Sequence, residues 1–447
     1  MGLFNKACGH NQAHFVMQIK FIDLSAENAL IISAFKNRLD LIISQNDFVG
    51  GFDVSAFENE FGAFLTLEDR SSLFDDNLDA LQESLNNPEK ALFCDLRSVI
   101  LGGAFESKLK DSEVKANVLG VANGTDALEI ALQSLNLPKQ SEIIICATTF
   151  KATAEAVLNA GFKAVIVDCD DLYNLSGDIL SDYISSKTSA IIVTHLYGRI
   201  GKMQQILSLC KTHNLALIED ASQAHGAQFR LENKLLSAGL IGDIGTFSFY
   251  PSKNLGAIGD GGAIVSKNDR LIDRCRSIAN HGARSDDKKV ANLIGRNSRL
   301  DSIQAAFLRL KLRVLDENNA KRRAQALLYS ELLSDNKNLS LPKLPDLKSR
   351  HVWHIYAINL QRDLEGAREE LREFLSFWGV QTHVHYPKSL AHVPEFKTNV
   401  NCIIHPTPVA NYWEKNVLSL PIGAHMDEAK IRYICEKINN FIRANAD

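Results

Sequence analysis

The amino-acid sequence predicts an α/β protein, with a large domain built on a mainly parallel seven-stranded sheet and a smaller α+β C-terminal domain. Two observations carry that prediction. From about Asn117 onward, short apolar runs alternate with amphipathic helical stretches, the rhythm of βαβ units. After residue 310 the rhythm changes to a long charged helix, a prolyl loop, and then strand, helix and strand. A chain of 447 residues has room for two or three domains, and 45% hydrophobic with 23% charged residues is an ordinary folded composition.

Taken in order, residues 1–18 read as a loose extension without the apolar core of a signal peptide. Residues 19–65 read as an N-terminal segment, a strand-like start followed by helices over LSAENALIISAFKNRLDLIIS and DVSAFENEFGAFL. Residues 66–113 form a further helical stretch, with Phe74, Leu78, Leu81 and Leu85 at helical spacing and a break at Asn86-Asn87-Pro88. The large domain, 114–310, carries the candidate strands VLGVA (118–122), EIIICA (142–147), KAVIVD (163–168), SAIIVTHL (189–196), LALIED (215–220), GTFSFY (245–250) and GAIVSK (262–267). Between the first two, Ala127, Leu128, Ala131, Leu132 and Leu135 fall on one helical face. The C-terminal domain, 311–447, opens with the helix LKLRVLDENNAKRRAQALLYSELL. It continues through the strand HVWHIYAINL, the helix EGAREELREFLSFWG and the strand VQTHVHY.

Charge and cysteine usage narrow the function classes. Lys plus Arg number 49 and Asp plus Glu 53, a net charge of −4. Such a chain has no overall basic field to collect phosphate backbones, so nucleic acid is not expected as a partner. The eight cysteines are scattered singly with no C-x-x-C pair, the usage of reduced thiols in a cytoplasmic protein and not of a zinc cluster. No run approaches the ~20 apolar residues of a membrane-spanning helix, so no membrane is expected either.

Three segments of the large domain hold chemistry that can cooperate. In GVANGTDAL (120–128) a strand ends at Asn123-Gly124 and a helix opens at Thr125, so free amides and the positive helix end favour an anion such as phosphate. A plain βα turn capped by Thr125 has the same sequence. In LALIEDASQAHGA (215–227) a buried strand delivers Glu219, Asp220, Gln223 and His225 to its carboxyl end, where ligands bind in open α/β sheets. A desolvated carboxylate there can hold a ring nitrogen protonated; Asp220 as a helix cap is the competing explanation. In GDIGTFSFYPSKNLGAIGDGGAIV (242–265) Lys253 stands between an apolar strand and a glycine-rich loop. Partial desolvation there depresses an amine's pKa and frees its lone pair for attack on a carbonyl, although most lysines are solvated surface charges. An anion cradle, a ring-nitrogen carboxylate and an imine-forming lysine are the three parts of a pyridoxal phosphate site.

The strings GVANGTDAL, ATTFKATAEAVLNAG, VTHLYGRIGKM, LIEDASQAHGA, FSFYPSKNLGAIGDGGA and GRNSRLDSIQAAFLRLKLRVLDENNAKR resemble the DegT/DnrJ/EryC1/StrS family of sugar aminotransferases. The resemblance runs from about Ile19 to the C-terminus. It implies a fold type I enzyme that binds pyridoxal 5′-phosphate, takes glutamate and a nucleotide-linked keto-sugar as substrates, and works as a homodimer with shared active sites. On that resemblance Lys253 matches the lysine that forms the imine with the cofactor, and Asp220 matches the carboxylate on the pyridinium nitrogen. Gln223 resembles the residue on the ring's phenolic-oxygen side. Gly124, Thr125 and Ser248 match the phosphate cradle, Phe150 the aromatic stacked on the ring, and Asn297 the asparagine reaching the phosphate from the other subunit. For His225 a structural hydrogen bond and a cofactor contact stay open. His281 and Arg299 resemble positions near the partner's site, while His354, His385 and Tyr386 are candidates for the sugar cleft.

The run Phe249-Tyr250-Pro251-Ser252-Lys253-Asn254-Leu255-Gly256 resembles family members acting on 3-keto sugars; those acting on 4-keto sugars commonly have His where Tyr250 stands. A 3-keto substrate is therefore expected, with a 4-keto-sugar enzyme and a catalytically silent regulatory member as the alternatives. The 66–113 segment departs from the family pattern. Its apolar spacing implies a packed face, though a solvated helical decoration has the same spacing.

Overall fold

The computed structural model describes residues 17–66, 116–232, 234–283, 291, 293–345, 349–361 and 364–445. The readings made for 1–16 and 67–115 lie outside the described residues. In chain order the principal helices are α1 (Ile32–Gln45), α2 (Phe52–Thr66), α3 (Gly124–Ser134), α4 (Ala152–Asn159), α5 (Met203–His213), α6 (Asp269–Ala279), α7 (Ser302–Leu333), α8 (Arg368–Phe377), α9 (Pro408–Asn416) and α10 (Glu428–Asn445). The strands of the large sheet are β1 (Asn117–Val121), β2 (Glu142–Cys146), β3 (Lys163–Val167), β4 (Thr188–Thr194) and β5 (Ala216–Asp220). After the small hairpin β6 (Gln228–Leu231) and β7 (Lys234–Ser237), it continues with β8 (Ile244–Ser248) and β9 (Gly262–Ser266). Beyond these lie β10 (Leu339–Ser340), β11 (Ser349–Arg350), β12 (Tyr356–Leu360), β13 (Cys402–Ile404) and β14 (Val417–Leu420).

The sheet has eight strands in the order β1-β9-β8-β5-β4-β2-β3-β13, with β9 antiparallel to both its neighbours and every other pairing parallel. All seven predicted strands are present. The expected count of seven is corrected by β13, which comes from the C-terminal part of the chain and pairs Cys402, Ile403 and Ile404 with Ala164, Val165 and Ile166. A three-residue strand preceded by a single helical turn, Pro394–Lys397, leaves too short a pattern to read from sequence. Helices cover both faces, which is why the central strands are continuously apolar: Ile143, Ile144 and Ile145 of β2 are all fully buried.

Helix α2 anchors the strand that leads to Lys253. Phe57, Phe61 and Phe64 sit at i, i+4 and i+7, and all three are fully buried. Phe61 meets Phe247 edge-on at 5.0 Å, and Phe57 meets Phe249 at 5.3 Å, so β8 and the residue after it are clamped by aromatic faces. Helix α7 begins at Ser302, upstream of the predicted 311, and passes through both hydrophobic cores. Ala305, Leu308 and Leu312 pack in the large-sheet core, whereas Ala326, Tyr329 and Leu333 pack in the C-terminal one.

Two predicted strands of the C-terminal region shrink. HVWHIYAINL is extended as a ladder only over β12, because Val352 and His354 turn their amides to Gly198 and Tyr197 instead. VQTHVHY forms no strand; it touches neighbours only through single bridges, Ile19 to Val380 and His383 to Ser419, before bending toward the large sheet.

Candidate active site

The carboxyl ends of β4, β5 and β8, the loop after β2 and the start of α3 surround one cavity of about 480 Å³. Open α/β sheets place ligands at this edge. Of the thirteen site residues expected from sequence, eleven line it: Gly124, Thr125, Phe150, Asp220, Gln223, Ser248, Tyr250, Lys253, His354, His385 and Tyr386.

Asp220 is the last residue of β5 and is 5% exposed. Its Oδ2 accepts hydrogen bonds from Thr153 Oγ1 at 3.2 Å and Thr194 Oγ1 at 3.4 Å, while Oδ1 accepts the Ser222 amide at 3.2 Å. The carboxylate is thus fixed in direction and suited to a cationic ring nitrogen. Its neighbour Glu219 points to the other face of the strand. There it accepts the amides of Gly239, Ile241 and Gly242 and meets His195 Nε2 at 2.8 Å, all away from the cavity.

Lys253 sits on a turn closed by its own amide donating to Tyr250 O at 2.8 Å. Burial pushes its ammonium down to about 8, and the negative charge of Asp220 limits the fall. An amine that is half neutral near pH 8 is a competent nucleophile toward an aldehyde.

The phosphate-type cradle is built differently from the expectation in one respect. The cap of α3 is Asn123, whose side chain accepts the Asp126 amide at 2.8 Å, so Gly124 and Thr125 occupy the first turn of the helix instead of Thr125 preceding it. This frees the Thr125 hydroxyl from capping and leaves it on the cavity wall beside Ser248. Gly124 is required by contact: a Cβ there would stand 2.7 Å from that of Ser248.

The remaining wall comes from the C-terminal region. His354 meets Asn254 Oδ1 through Nδ1 at 3.0 Å, and the Asn254 amide nitrogen donates to Asn319 and to Val352 O. His354 therefore protonates on Nδ1 and turns a bare Nε2 outward. His385 meets Ser419 Oγ at 2.9 Å, and burial lowers its pKa to about 4. The ring of Tyr386 lies 5.6 Å from that of Phe150. Phe150 and Tyr250 are half exposed, at 48% and 55%.

Asn297 and Arg299 are not brought into the cavity. Both are exposed, and Asn297 bridges Asn280. His281 is likewise exposed. His225 lies behind the wall, fully buried, with Nε2 3.0 Å from Ser248 O; of its two open roles, the structure shows the hydrogen bond. Sequence reading passed over Asn123, Thr149, Thr153, Thr194 and Asp260, which also line the cavity. Thr149 and Thr153 stand inside the quoted ATTFKAT run, four apart at the start of α4, and that spacing was the available signal.

The family profile of the DegT/DnrJ/EryC1/StrS aminotransferase family matches residues 102–439. The chain belongs to this family. Among similar proteins, the UDP-N-acetyl-3-dehydro-α-D-glucosamine 3-aminotransferase of Acidithiobacillus ferrooxidans is 38% identical over 344 residues, 75% of this chain and 87% of that one. A "pleiotropic regulatory protein" of Geobacillus stearothermophilus is 38% identical over 327 residues, 73% of this chain and 85% of its own length. The crystal structure of S. venezuelae DesV in complex with a ketimine intermediate aligns with a TM-score of 0.78 at 28% identity, covering 95% of this chain and 98% of that one. The aminotransferase fold is thus the expected fold type I, and the family's enzymes depend on pyridoxal 5′-phosphate. The donor set fits that group: helix-end amides and two hydroxyls for a phosphate, a fixed carboxylate for the ring nitrogen, and a depressed amine for the aldehyde.

Proposed function

We propose that this aminotransferase moves an amino group from glutamate to the C3 keto carbon of a nucleotide-linked sugar. The observation that carries the reading is the Lys253 amine facing the fixed Asp220 carboxylate in one cavity at the N-terminus of α3. Gly124, Thr125 and Ser248 would bind the cofactor's phosphate, Asp220 its ring nitrogen, Lys253 its aldehyde carbon and Phe150 its ring face. Bound there, pyridoxal phosphate supplies an electron sink for a carbanion next to nitrogen. Lys253 Nζ would take the proton from the amino acid's α-carbon and deliver it to the aldehyde-derived carbon of the cofactor, a role suited to an amine whose pKa lies near the working pH. Asp220 keeps positive charge at the opposite end of the ring site. His354, His385 and Tyr386 line the side open to the sugar.

The C3 choice is supported by Tyr250 at the cavity wall and by the 3-amino regiochemistry in the name of the A. ferrooxidans relative. Shared sites in a homodimer are supported by the half-exposed apolar Phe150, Tyr250 and Ile258 and by Asn297 and Arg299 standing outside the cavity of their own chain. A cytoplasmic setting is supported by six free cysteines among the described residues, where no helix is long and apolar enough to cross a membrane.

The test is incubation with glutamate and a panel of 3-keto and 4-keto dTDP- and UDP-sugars, followed by NMR of the carbon that gains nitrogen. Amination at C3 is expected; exclusive amination at C4 overturns the regiochemistry. The G. stearothermophilus relative's name favours a second reading, a silent regulator. A visible absorption band that glutamate discharges rejects it.

A further inference from the structure

Four oxygens form a closed ring on the cavity wall. Thr149 Oγ1 lies 3.0 Å from both Thr153 Oγ1 and Thr194 Oγ1, and these two lie 3.2 and 3.4 Å from the same oxygen of Asp220, Oδ2. The corners come from four places in the chain: the loop after β2, the first turn of α4, and the last residues of β4 and of β5. All four residues are buried, and all four line the cavity that holds Lys253.

The backbone leaves these corners little freedom. Thr194 and Asp220 are register partners across the parallel pair β4–β5. The His195 amide donates to Asp220 O at 3.0 Å, and the Thr153 amide donates to Phe150 O at 3.1 Å.

Counting hydrogens gives the bonds their direction. The ring has four edges but only three hydroxyl hydrogens. A carboxylate has none to give and outcompetes a neutral hydroxyl as acceptor, so Thr153 and Thr194 both donate to Oδ2, and Thr149 donates to one of them. Those two bonds fill Oδ2. Oδ1 takes the Ser222 amide, which leaves one open acceptor position on the carboxylate, and it belongs to Oδ1.

We propose that Thr153 and Thr194 are positioning residues that saturate Oδ2 of Asp220, so that Oδ1 alone meets the protonated ring nitrogen and the shared proton stays on the ring. The inference rests on the cavity being the transamination site. It adds a division of labour between the two carboxylate oxygens and a role for three hydroxyls. Hydrogens donated to a carboxylate favour its charged form, which weakens its claim on the ring's proton. Thr149 contributes through its neighbours, because a hydroxyl that receives a hydrogen bond gives its own more strongly.

Thr153→Val and Thr194→Val keep the shape and remove one donor each, whereas Thr153→Ser and Thr194→Ser keep the donor. Each enzyme is loaded with pyridoxal phosphate isotopically labelled at the ring nitrogen, and the chemical shift of that nitrogen is read by NMR at neutral pH, beside kcat. The parent is expected to give the shift of a protonated pyridine. Each valine variant is expected to move toward neutral pyridine and to lose about tenfold in kcat, the size of one hydrogen bond to a charged group. The double valine variant moves further on both measures, Thr149→Val moves less than either single one, and the serine variants stay with the parent. A double valine variant with the parent's shift overturns the proposal, whatever its melting temperature, and so do serine variants that shift as far as the valine ones. If the double variant does not fold, Thr194→Val with the parent's shift overturns it alone. Borohydride is expected to fix the cofactor on Lys253 in every variant; a parent with no fixed adduct overturns the reading of the cavity, and this proposal with it.

Discussion

Lys253 and His225 sit back to back and are perturbed in the same direction by the same cause. In the cofactor-free protein, Lys253 reaction with an aldehyde is expected to rise through a midpoint near pH 8. Asp220→Asn removes the charge that opposes the shift, so the midpoint moves lower; reductive methylation of Lys253 read by mass against pH measures both. An unchanged midpoint in the variant separates the two residues electrostatically. His225 has its folded pKa lowered to about 3 by burial, against an unfolded value of ~6.5. The unfolded chain therefore binds the extra proton first. The stability this histidine permits is full above pH 6.5 and is lost as pH falls toward 3, by about 2 kcal/mol between pH 7 and 5. Urea midpoints at those two pH values are expected to differ less in His225→Gln, which keeps a donor for Ser248 O. Lys253, Asp220 and Thr125 were legible because each combines an unusual residue type with a strand or helix end. Asp260 and the threonines under Asp220 were not, since common polar residues acquire a direction only when distant strands meet.

At the scale of elements, α1, α2 and α7 are joined by charge as well as by apolar packing. Arg309 donates to Glu60 at 2.7 Å and to Asp53 at 2.6 Å, and Arg38 meets Asp53 at 2.8 Å. Asp53, Glu60 and Arg309 are all buried, so Arg309→Ala strands the Glu60 carboxylate, leaves Asp53 with Arg38 alone, and is expected to cost about 3–5 kcal/mol. Arg309→Met with Asp53→Asn and Glu60→Gln is expected to recover most of that loss in urea titration. Phe61→Ala is expected to cost a similar ~3–5 kcal/mol and to slow turnover, because Phe61 backs both Phe247 and Phe249 ahead of Lys253. A stability loss with parental kcat would detach α2 from the site. The helical spacing of these phenylalanines is readable along the chain, but their partner 186 positions later is not.

Across the whole molecule, the residue after Lys253 ties the loop after β8 to α7 and to the stretch before β12. Asn254 bonds Asn319 of α7, Val352 and His354, and Asn319 in turn donates to His225 O at 2.9 Å. Asn254→Ala is expected to lower both the melting temperature and the affinity for the keto-sugar, by freeing His354; calorimetry and KM values check it. Seven of the sheet's eight strands were readable from the alternation of apolar runs with helical stretches. The long helix was readable from residue 311, but its first turns, 302–310, pack Ala305 and Leu308 in the large-sheet core and read as part of the first domain.

Strand β13 has one more effect, on how the chain is made. The flank of β3 that Cys402–Ile404 will cover is complete by residue 167, so during synthesis it waits more than two hundred residues for its neighbour. A ribosome stalled anywhere in that interval displays a bare, apolar sheet margin. Nascent chains of this enzyme are therefore expected to depend on shielding from one another until translation is nearly finished.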